Sequence, residues 1–306
     1  MTDPVTGPAA DSRDALTESA THPDENPDSR GATWVVSTVN VNGIRAAARK
    51  GLLDWLRGTE ADVVCLQECR ALPEEFPELP PGWRSYYAPS GGAKGRNGVG
   101  VLVRAGVEPD AVRVGYGSAE FDDSGRYLEV DLPGRSGAGG LTIGSLYLPN
   151  GTVGTPKQDE KDRFLAEFAP YLTERREKAA AEDREVLVCG DWNIAHTEAD
   201  IRNWRGNVRN SGFLPHEREW LAGVFDSGYT DVVRALHPGV DGPYTWWSYR
   251  GRAFDNDTGW RIDHHVATPG LARRAAAARV ERAAEHALRW SDHAPVTVHY
   301  HPPASR

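Results

Sequence analysis

The 306-residue chain has only three cysteines, Cys65, Cys69 and Cys189, and a single methionine. Three cysteines are too few for a disulfide framework, so we expect a reducing, cytoplasmic location. No apolar run approaches the roughly 18 residues that a membrane-spanning helix needs. Residues 1–30 also lack the basic and apolar regions of a signal peptide. The sequence therefore predicts neither membrane insertion nor secretion.

The chain also lacks an excess of positive charge, since 35 basic residues stand against 44 acidic ones and the net charge is -9. This balance gives no electrostatic support for nucleic-acid binding, so such a hypothesis must come from a specific site. Part of the acidity lies in residues 1–31, which hold seven acids against two arginines and show no apolar periodicity. We predict a disordered acidic tail over 1–31 and one folded domain over 32–306.

Strand-like runs outnumber helical patterns from residue 34 onward. Strands are predicted at 34–41, 62–68, 98–104, 127–132, 141–148, 185–193, 244–247, 262–267 and 294–300, and helices at 44–58 and 157–181. Several strands follow one another without a helix, which favours packed sheets flanked by helices over a doubly wound parallel sheet. Segment 271–290 has helical propensity from its alanines, but its centre, 277–283, is also compatible with a strand.

Polar side chains lie next to these apolar runs, where the end of a sheet would present them together. The six clusters are Asn40 with Asn42, Glu68, Tyr147 with Asn150, Asp191 with Asn193, Asp263, and Asp292 with His293. Paired residues two apart in a strand point to the same face. Each cluster also has an ordinary interpretation: turn formers beside glycine, a solvated strand end, or a helix N-cap.

Taken together, the clusters favour metal-assisted attack of water on a phosphodiester. That reaction needs a cation against the phosphate charge, a base for the water proton and donors for the pentacovalent oxygens. Glu68 suits Mg²⁺, which binds one or two carboxylates and keeps several waters. His264 and His265 are expected to be strand residues instead, because imidazole does not suit a Mg²⁺ site.

From about Trp34 to about Tyr300, the chain resembles the exonuclease III family of abasic-site endonucleases, within the endonuclease/exonuclease/phosphatase superfamily. The resemblance rests on the order of NVNGIRA, LQE, YLPN, GDWN, IRNWRGNVRNSGFLPHERE, GWRID and SDHAP. It implies an α/β fold, a four-layered α/β sandwich of two packed mixed β-sheets flanked by helices. It also implies that 32–306 is the catalytic domain of a Mg²⁺-dependent DNA-repair nuclease, with Mn²⁺ as a substitute cation.

The resemblance implies a role for each matching residue. Glu68 would be the principal Mg²⁺ ligand, and the other metal ligands would be Asn40, Asn42 and Asp292, with Asp191 and Asn193 at a second ion. The catalytic groups would be Asp191 as general base, Asn193, Tyr147 and His293 at the phosphate, and Asp263 orienting His293. Substrate contacts would come from Asn207 and Asn210 on the DNA and from an apolar pocket of Trp246, Trp260 and Ile262. Such a pocket accepts a flipped, base-less sugar.

The implied activity is hydrolysis 5′ to abasic sites, with 3′→5′ exodeoxyribonuclease and 3′-repair phosphodiesterase activity, by a monomer acting on double-stranded DNA. Two alternatives stay open: an exonuclease with little abasic-site incision, and a superfamily phosphodiesterase or phosphatase acting on a non-DNA phosphate ester. A non-catalytic DNA-binding module would require a lost catalytic residue, and none is missing. Trp246 stands where family members often have Phe, and alone it is typical of a core or surface aromatic.

Overall fold

The computed structural model describes residues 33–92, 95–135 and 138–303, so the predicted tail over 1–31 lies outside the described residues. The strands in these ranges are β1 (Trp34–Asn40), β2 (Val63–Gln67), β3 (Trp83–Ala88), β4 (Val99–Arg104), β5 (Ala111–Val114), β6 (Tyr127–Leu132), β7 (Gly140–Tyr147), β8 (Arg184–Asp191), β9 (Thr230–Asp231), β10 (Asp263–Ala267), β11 (Ala275–Val280) and β12 (Val296–Tyr300). They form two six-stranded sheets. Sheet A has the order β11-β12-β1-β2-β4-β3, and sheet B has the order β5-β6-β7-β8-β10-β9.

Both sheets are mixed. In sheet A, β1 runs parallel to β2 and antiparallel to β12. In sheet B, β7 runs parallel to β8, whereas β10 runs antiparallel to β8. The carboxyl ends of each parallel pair lie at the same edge of their sheet, and each antiparallel neighbour begins there.

The main core lies between the two sheets. Val36 and Val101 of sheet A and Val130 and Leu187 of sheet B are fully buried in one hydrophobic cluster. The apolar alternation of the strands explains this arrangement, since the inner face of each sheet buries its aliphatic side chains against the other.

Helices cover the outer faces of both sheets. They are α1 (Ile44–Ala47), α2 (Leu53–Gly58), α3 (Pro156–Ala181), α4 (Trp204–Asn207), α5 (Pro215–Asp226), α6 (Val232–Leu236) and α7 (Pro269–Ala272). Phe164, Phe168 and Leu172 of α3 are buried in a second cluster with side chains of sheet B, and Ile44 and Leu56 join a third cluster with sheet A. The predicted four-layered sandwich is confirmed. Among the described residues, no helix is long and apolar enough to span a membrane.

Two local predictions needed correction, and one open alternative is decided by the structure. The strand predicted at 244–247 does not form, because Trp246 makes only isolated bridges, to Trp260 and His293. The helix predicted at 44–58 is divided by a π-helical turn, in which Gly51 has a φ of 130° that glycine tolerates best. In segment 271–290, the strand alternative was the better one, since β11 pairs with β12 along the edge of sheet A.

Candidate active site

The predicted catalytic residues meet where the parallel strands of the two sheets end. Asn40 is the last residue of β1, and Glu68 follows the last residue of β2. On sheet B, Tyr147 and Asp191 are direct partners at the ends of β7 and β8. Asp191 is also the direct partner of Asp263 at the start of β10. The strand register therefore sets three chemically active side chains in one row across sheet B.

Asn40 joins the two sheets at this edge. Its buried Nδ2 donates to Glu68 Oε1 at 2.8 Å and to Asp191 Oδ2 at 2.9 Å. Its Oδ1 accepts a hydrogen bond from the backbone N–H of Asn42 at 2.9 Å. Because both amide protons and the carbonyl are used, the side chain has one orientation and fixes the spacing of the two carboxylates.

The polar residues next to the strand ends have unusual backbone conformations. The φ angle is 46° at Asn42, 50° at Glu68 and 49° at Asn193. Left-handed conformations cost free energy for residues other than glycine, and they cluster at functional sites where the surrounding structure maintains them. Here the strain lies at three of the predicted metal or catalytic residues.

His293 is held between two aspartates. Its Nδ1 donates to Asp263 Oδ2 at 2.8 Å, and its Nε2 lies 3.8 Å from Asp191 Oδ2. Asp263 is itself fixed by Thr245, whose Oγ1 donates to the same Oδ2 at 2.6 Å. Asp263 thus sets the orientation of the imidazole and leaves Nε2 facing Asp191 and the cleft.

Burial and neighbouring charges shift the pKa values of these groups. Burial raises the pKa of Asp191, a shift that His293 opposes and that Asp263 and Glu68 increase. Burial alone would lower the pKa of His293, but the carboxylates of Asp263 and Asp191 raise it well above its usual value. A cationic imidazole beside Asp191 favours the ionised carboxylate and offers an N–H to an anion. For Tyr147, burial first and then Glu68 and Asp191 raise the pKa, so the phenol keeps its proton.

The predicted metal ligands offer hard oxygen donors around one end of the cleft. Asn42 Nδ2 donates to Asp292 Oδ1 at 2.8 Å, while Glu68 pairs through Oε2 with Arg70. In the described ranges, no group of three or more His, Cys, Asp or Glu side chains is arranged to hold a metal ion. A Mg²⁺ ion does not require such a group, because it is bound through one or two carboxylates and retains waters.

A cleft of about 400 Å³ opens beside these groups. Its lining includes the charged or polar residues Glu68, Asp191, His293 and Asn210 and the apolar residues Trp246, Trp260 and Ile262. The rings of Trp246 and Trp260 meet edge to face, with centroids 6.1 Å apart. The cleft therefore brings charged and aromatic side chains together.

Four predicted site residues are not part of this lining: Asn40, Asp263, Asn207 and Tyr147. Asn40 and Asp263 hydrogen-bond to residues that are, namely Asp191 and His293. Asn207 donates through Nδ2 to Asn203 O at 2.9 Å and accepts from Asn210 Nδ2 at 2.8 Å. It lies behind Asn210 and orients that side chain. Tyr147 is buried beneath the cleft with its ring 5.2 Å from the Arg126 guanidinium.

Sequence reasoning missed two residues that hold the site. Thr245 fixes Asp263, and Lys161 donates from Nζ to the backbone carbonyl of Asn193 at 2.9 Å. Nothing in the local sequence marks Thr245. Lys161, however, lies three and seven residues before Phe164 and Phe168 on the buried stripe of α3. A lysine at such a position is a sign of a buried polar contact.

Comparison with known proteins identifies the family. A family model described as the Endonuclease/Exonuclease/phosphatase family matches residues 37–293. The chain belongs to this family. The resemblance predicted from the ordered motifs is thereby confirmed, and with it the assignment of the chain as an enzyme of the nuclease and phosphatase class.

Named members of the family are similar over most of their length. DNA repair nuclease APEX1 of Danio rerio is 33% identical over 276 residues, covering 89% of this chain and 83% of that protein. Exodeoxyribonuclease of Bacillus subtilis is 33% identical over 263 residues, covering 85% and 96%. The solved structure of the 3′-5′ exonuclease NExo from Neisseria meningitidis has a TM-score of 0.74 and 28% identity, covering 87% and 99%.

Proposed function

We propose that this chain is a Mg²⁺-dependent DNA-repair nuclease that hydrolyses the phosphodiester 5′ to abasic sites. The observation that carries the proposal is that Asp191, Glu68 and His293 line the same cleft as Trp246 and Trp260. The names of two relatives, a DNA repair nuclease and an exodeoxyribonuclease, support DNA as the substrate. We extend the proposal to 3′→5′ exonuclease and 3′-repair phosphodiesterase activity on the same site.

The donor set supports a hard divalent cation. Glu68 would be its main ligand, with Asn42 and Asp292 beside it, because these side chains offer carboxylate and amide oxygens at one end of the cleft. Bound there, Mg²⁺ would neutralise phosphate charge and stabilise the leaving 3′ oxygen. Arg70 pairs with Glu68, so a cation bound by Glu68 would share or displace this contact. Mn²⁺ fits the same donors.

The protein groups have distinct tasks in the proposed reaction. Asp191 would accept the proton of the attacking water, since Asn40 and the backbone N–H of Asn193 hold its two oxygens at 2.9 and 3.0 Å. His293, oriented by Asp263, would donate from Nε2 to a phosphate oxygen. The protonated phenol of Tyr147 would supply a further donor.

The apolar pocket accounts for lesion selectivity. An abasic nucleotide has already lost its pairing and stacking, so it costs less to extrude than an intact one. Trp246, Trp260 and Ile262 would receive the base-less sugar and exclude a normal nucleotide by size. Asn210, oriented by Asn207, would contact the DNA backbone at the margin.

The proposal also includes the organisation of the chain. We propose that 32–306 is the catalytic domain, acting as a monomer in the cytoplasm. The expected DNA substrate is a duplex that carries an abasic site or a blocked 3′ end.

A single gel tests this function. A duplex with one abasic-site analogue and a 5′ label would be incubated beside the intact duplex, with Mg²⁺ and with EDTA. We expect one cut at the lesion that EDTA abolishes. A ladder of 3′ shortening without incision would keep the nuclease chemistry but contradict abasic-site specificity. Absence of product on both duplexes would favour a non-DNA phosphate ester as the substrate.

A further inference from the structure

The indole of Trp246 makes a polar contact that an apolar pocket wall does not need. Its Nε1 donates to Asp292 Oδ2 at 3.1 Å. The other oxygen, Oδ1, accepts from Asn42 Nδ2 at 2.8 Å. Ser291 Oγ also donates to Oδ1, at 3.4 Å. The indole of Trp246 is therefore the side-chain donor that the described residues supply to Oδ2.

The backbone around Trp246 fixes the direction of this indole. Trp246 and Trp260 exchange two backbone hydrogen bonds, each of 2.9 Å, and the Trp260 ring meets the Trp246 ring edge to face. The next residue, Trp247, donates its backbone N–H to Asp292 O at 3.0 Å. The segments that carry the indole and the carboxylate are thus tied together, and the indole has little freedom to turn away.

We propose that Trp246 is a positioning residue that holds Asp292 for a divalent cation through its indole N–H. The inference deepens the proposed function and rests on the metal site proposed there. Phenylalanine at this position would line the pocket equally well, but it would leave Asp292 Oδ2 without this donor. In this proposal the aromatic ring of Trp246 lines the pocket, and its indole N–H orients the Asp292 carboxylate.

The size of the effect follows from how such contacts act at metal sites. A donor to a ligating carboxylate fixes its orientation, and removing that donor typically costs about 10–100-fold in metal affinity. Asp292 is half-buried, so without the indole its Oδ2 would turn toward solvent. We therefore expect Trp246→Phe to raise the Kd for Mn²⁺ by about tenfold or more.

The direct test measures Mn²⁺ binding to the free protein by electron paramagnetic resonance of unbound Mn²⁺. Trp246→Phe is compared with Trp260→Phe, which removes an indole from the same pocket without removing the Trp246–Asp292 bond. Thermal unfolding of both variants establishes that they are folded. Weaker Mn²⁺ binding in Trp246→Phe alone supports the proposal. Equal affinity in wild type and Trp246→Phe overturns it and leaves the proposed nuclease function standing.

A double-mutant cycle separates positioning from a general structural effect. In an Asp292→Asn background, Trp246→Phe should weaken Mn²⁺ binding no further, because the carboxylate that the indole orients is gone. A full additional loss in that background overturns the proposal. A wild-type protein that binds no Mn²⁺ overturns both the proposed metal-dependent function and this inference.

Incision kinetics provide a second readout. If Trp246 acts through the cation site, the Mn²⁺ concentration at which Trp246→Phe reaches half of its maximal incision rate should be higher than that of wild type. Equal half-maximal Mn²⁺ concentrations would overturn the positioning role, whatever the maximal rate of the variant.

Discussion

The ion pair between Lys161 and Glu217 joins helices α3 and α5 beside Asn193, and its contribution to stability can be measured. Both side chains are completely buried, and Nζ lies 2.9 Å from Glu217 Oε1. The same Nζ donates to Asn193 O at 2.9 Å. Burial lowers the pKa of Lys161, and the Glu217 carboxylate opposes that shift. Replacing Lys161 by methionine removes the charged amino group and keeps an unbranched side chain that is one atom shorter.

The cost of Lys161→Met can be worked out from the partners of Glu217. Its Oε2 accepts backbone N–H groups of Gly212 at 2.6 Å and Leu214 at 3.1 Å, so the carboxylate cannot leave its position. Removing one partner of such a buried pair costs about 3–5 kcal/mol, because an uncompensated charge remains. Adding Glu217→Gln removes that charge, so the double variant should be more stable than Lys161→Met alone.

Urea unfolding of four proteins measures these free energies. They are the wild type, Lys161→Met, the double variant with Glu217→Gln, and Lys178→Met, which alters an exposed lysine of the same helix as a control. We expect Lys161→Met to lose at least about 3 kcal/mol and Lys178→Met to remain close to wild type. The reasoning is refuted if Lys161→Met is as stable as Lys178→Met, or if the double variant is the least stable.

Two further predictions concern pH and the lesion pocket. Burial lowers the pKa of His265 to about 4. The neutral ring therefore makes its full contribution to the free energy of unfolding above pH 6.5, and this contribution declines as the pH falls toward 4. The decline should reach about 3 kcal/mol and be absent in His265→Gln; equal pH slopes in urea unfolding would contradict it. Trp260→Ala should slow abasic-site incision at least about tenfold more than exonuclease trimming, as expected for a lost pocket contact, and equal losses on the gel would remove the pocket argument.

The sequence predicted which polar residues meet at one end of the two sheets, because strand periodicity and strand ends are local features. Asn40, Glu68 and Asp191 each lie at the boundary between an apolar run and a polar residue. Parallel strands end at the same edge of a sheet, so the polar residues at their ends lie side by side there. Tyr147 and Asp191, which are direct partners at the ends of β7 and β8, are an example. The family resemblance carried by the ordered motifs then implied that these polar clusters come together in one site.

Interactions across the fold could not be predicted in this way. Edge strand β11 forms from alanines with helical propensity, because pairing with β12 outweighs a weak local preference. Trp246 was expected in a strand, yet it belongs to a loop that bonds to Asp292. The bond between Thr245 and Asp263 likewise joins residues 18 apart along the chain, and no local pattern marks it.

The central claim is that Asp191 is the base in a phosphodiester-cleaving centre. The decisive measurement is the single-turnover incision rate of Asp191→Asn on the abasic-site duplex, together with its DNA affinity. A general base contributes about 10²–10⁴-fold, so the rate should fall at least about 100-fold while DNA binding is retained. Asp183→Asn, an exposed turn residue just before β8, is the matched control. Incision by Asp191→Asn at a rate close to that of this control would contradict the account.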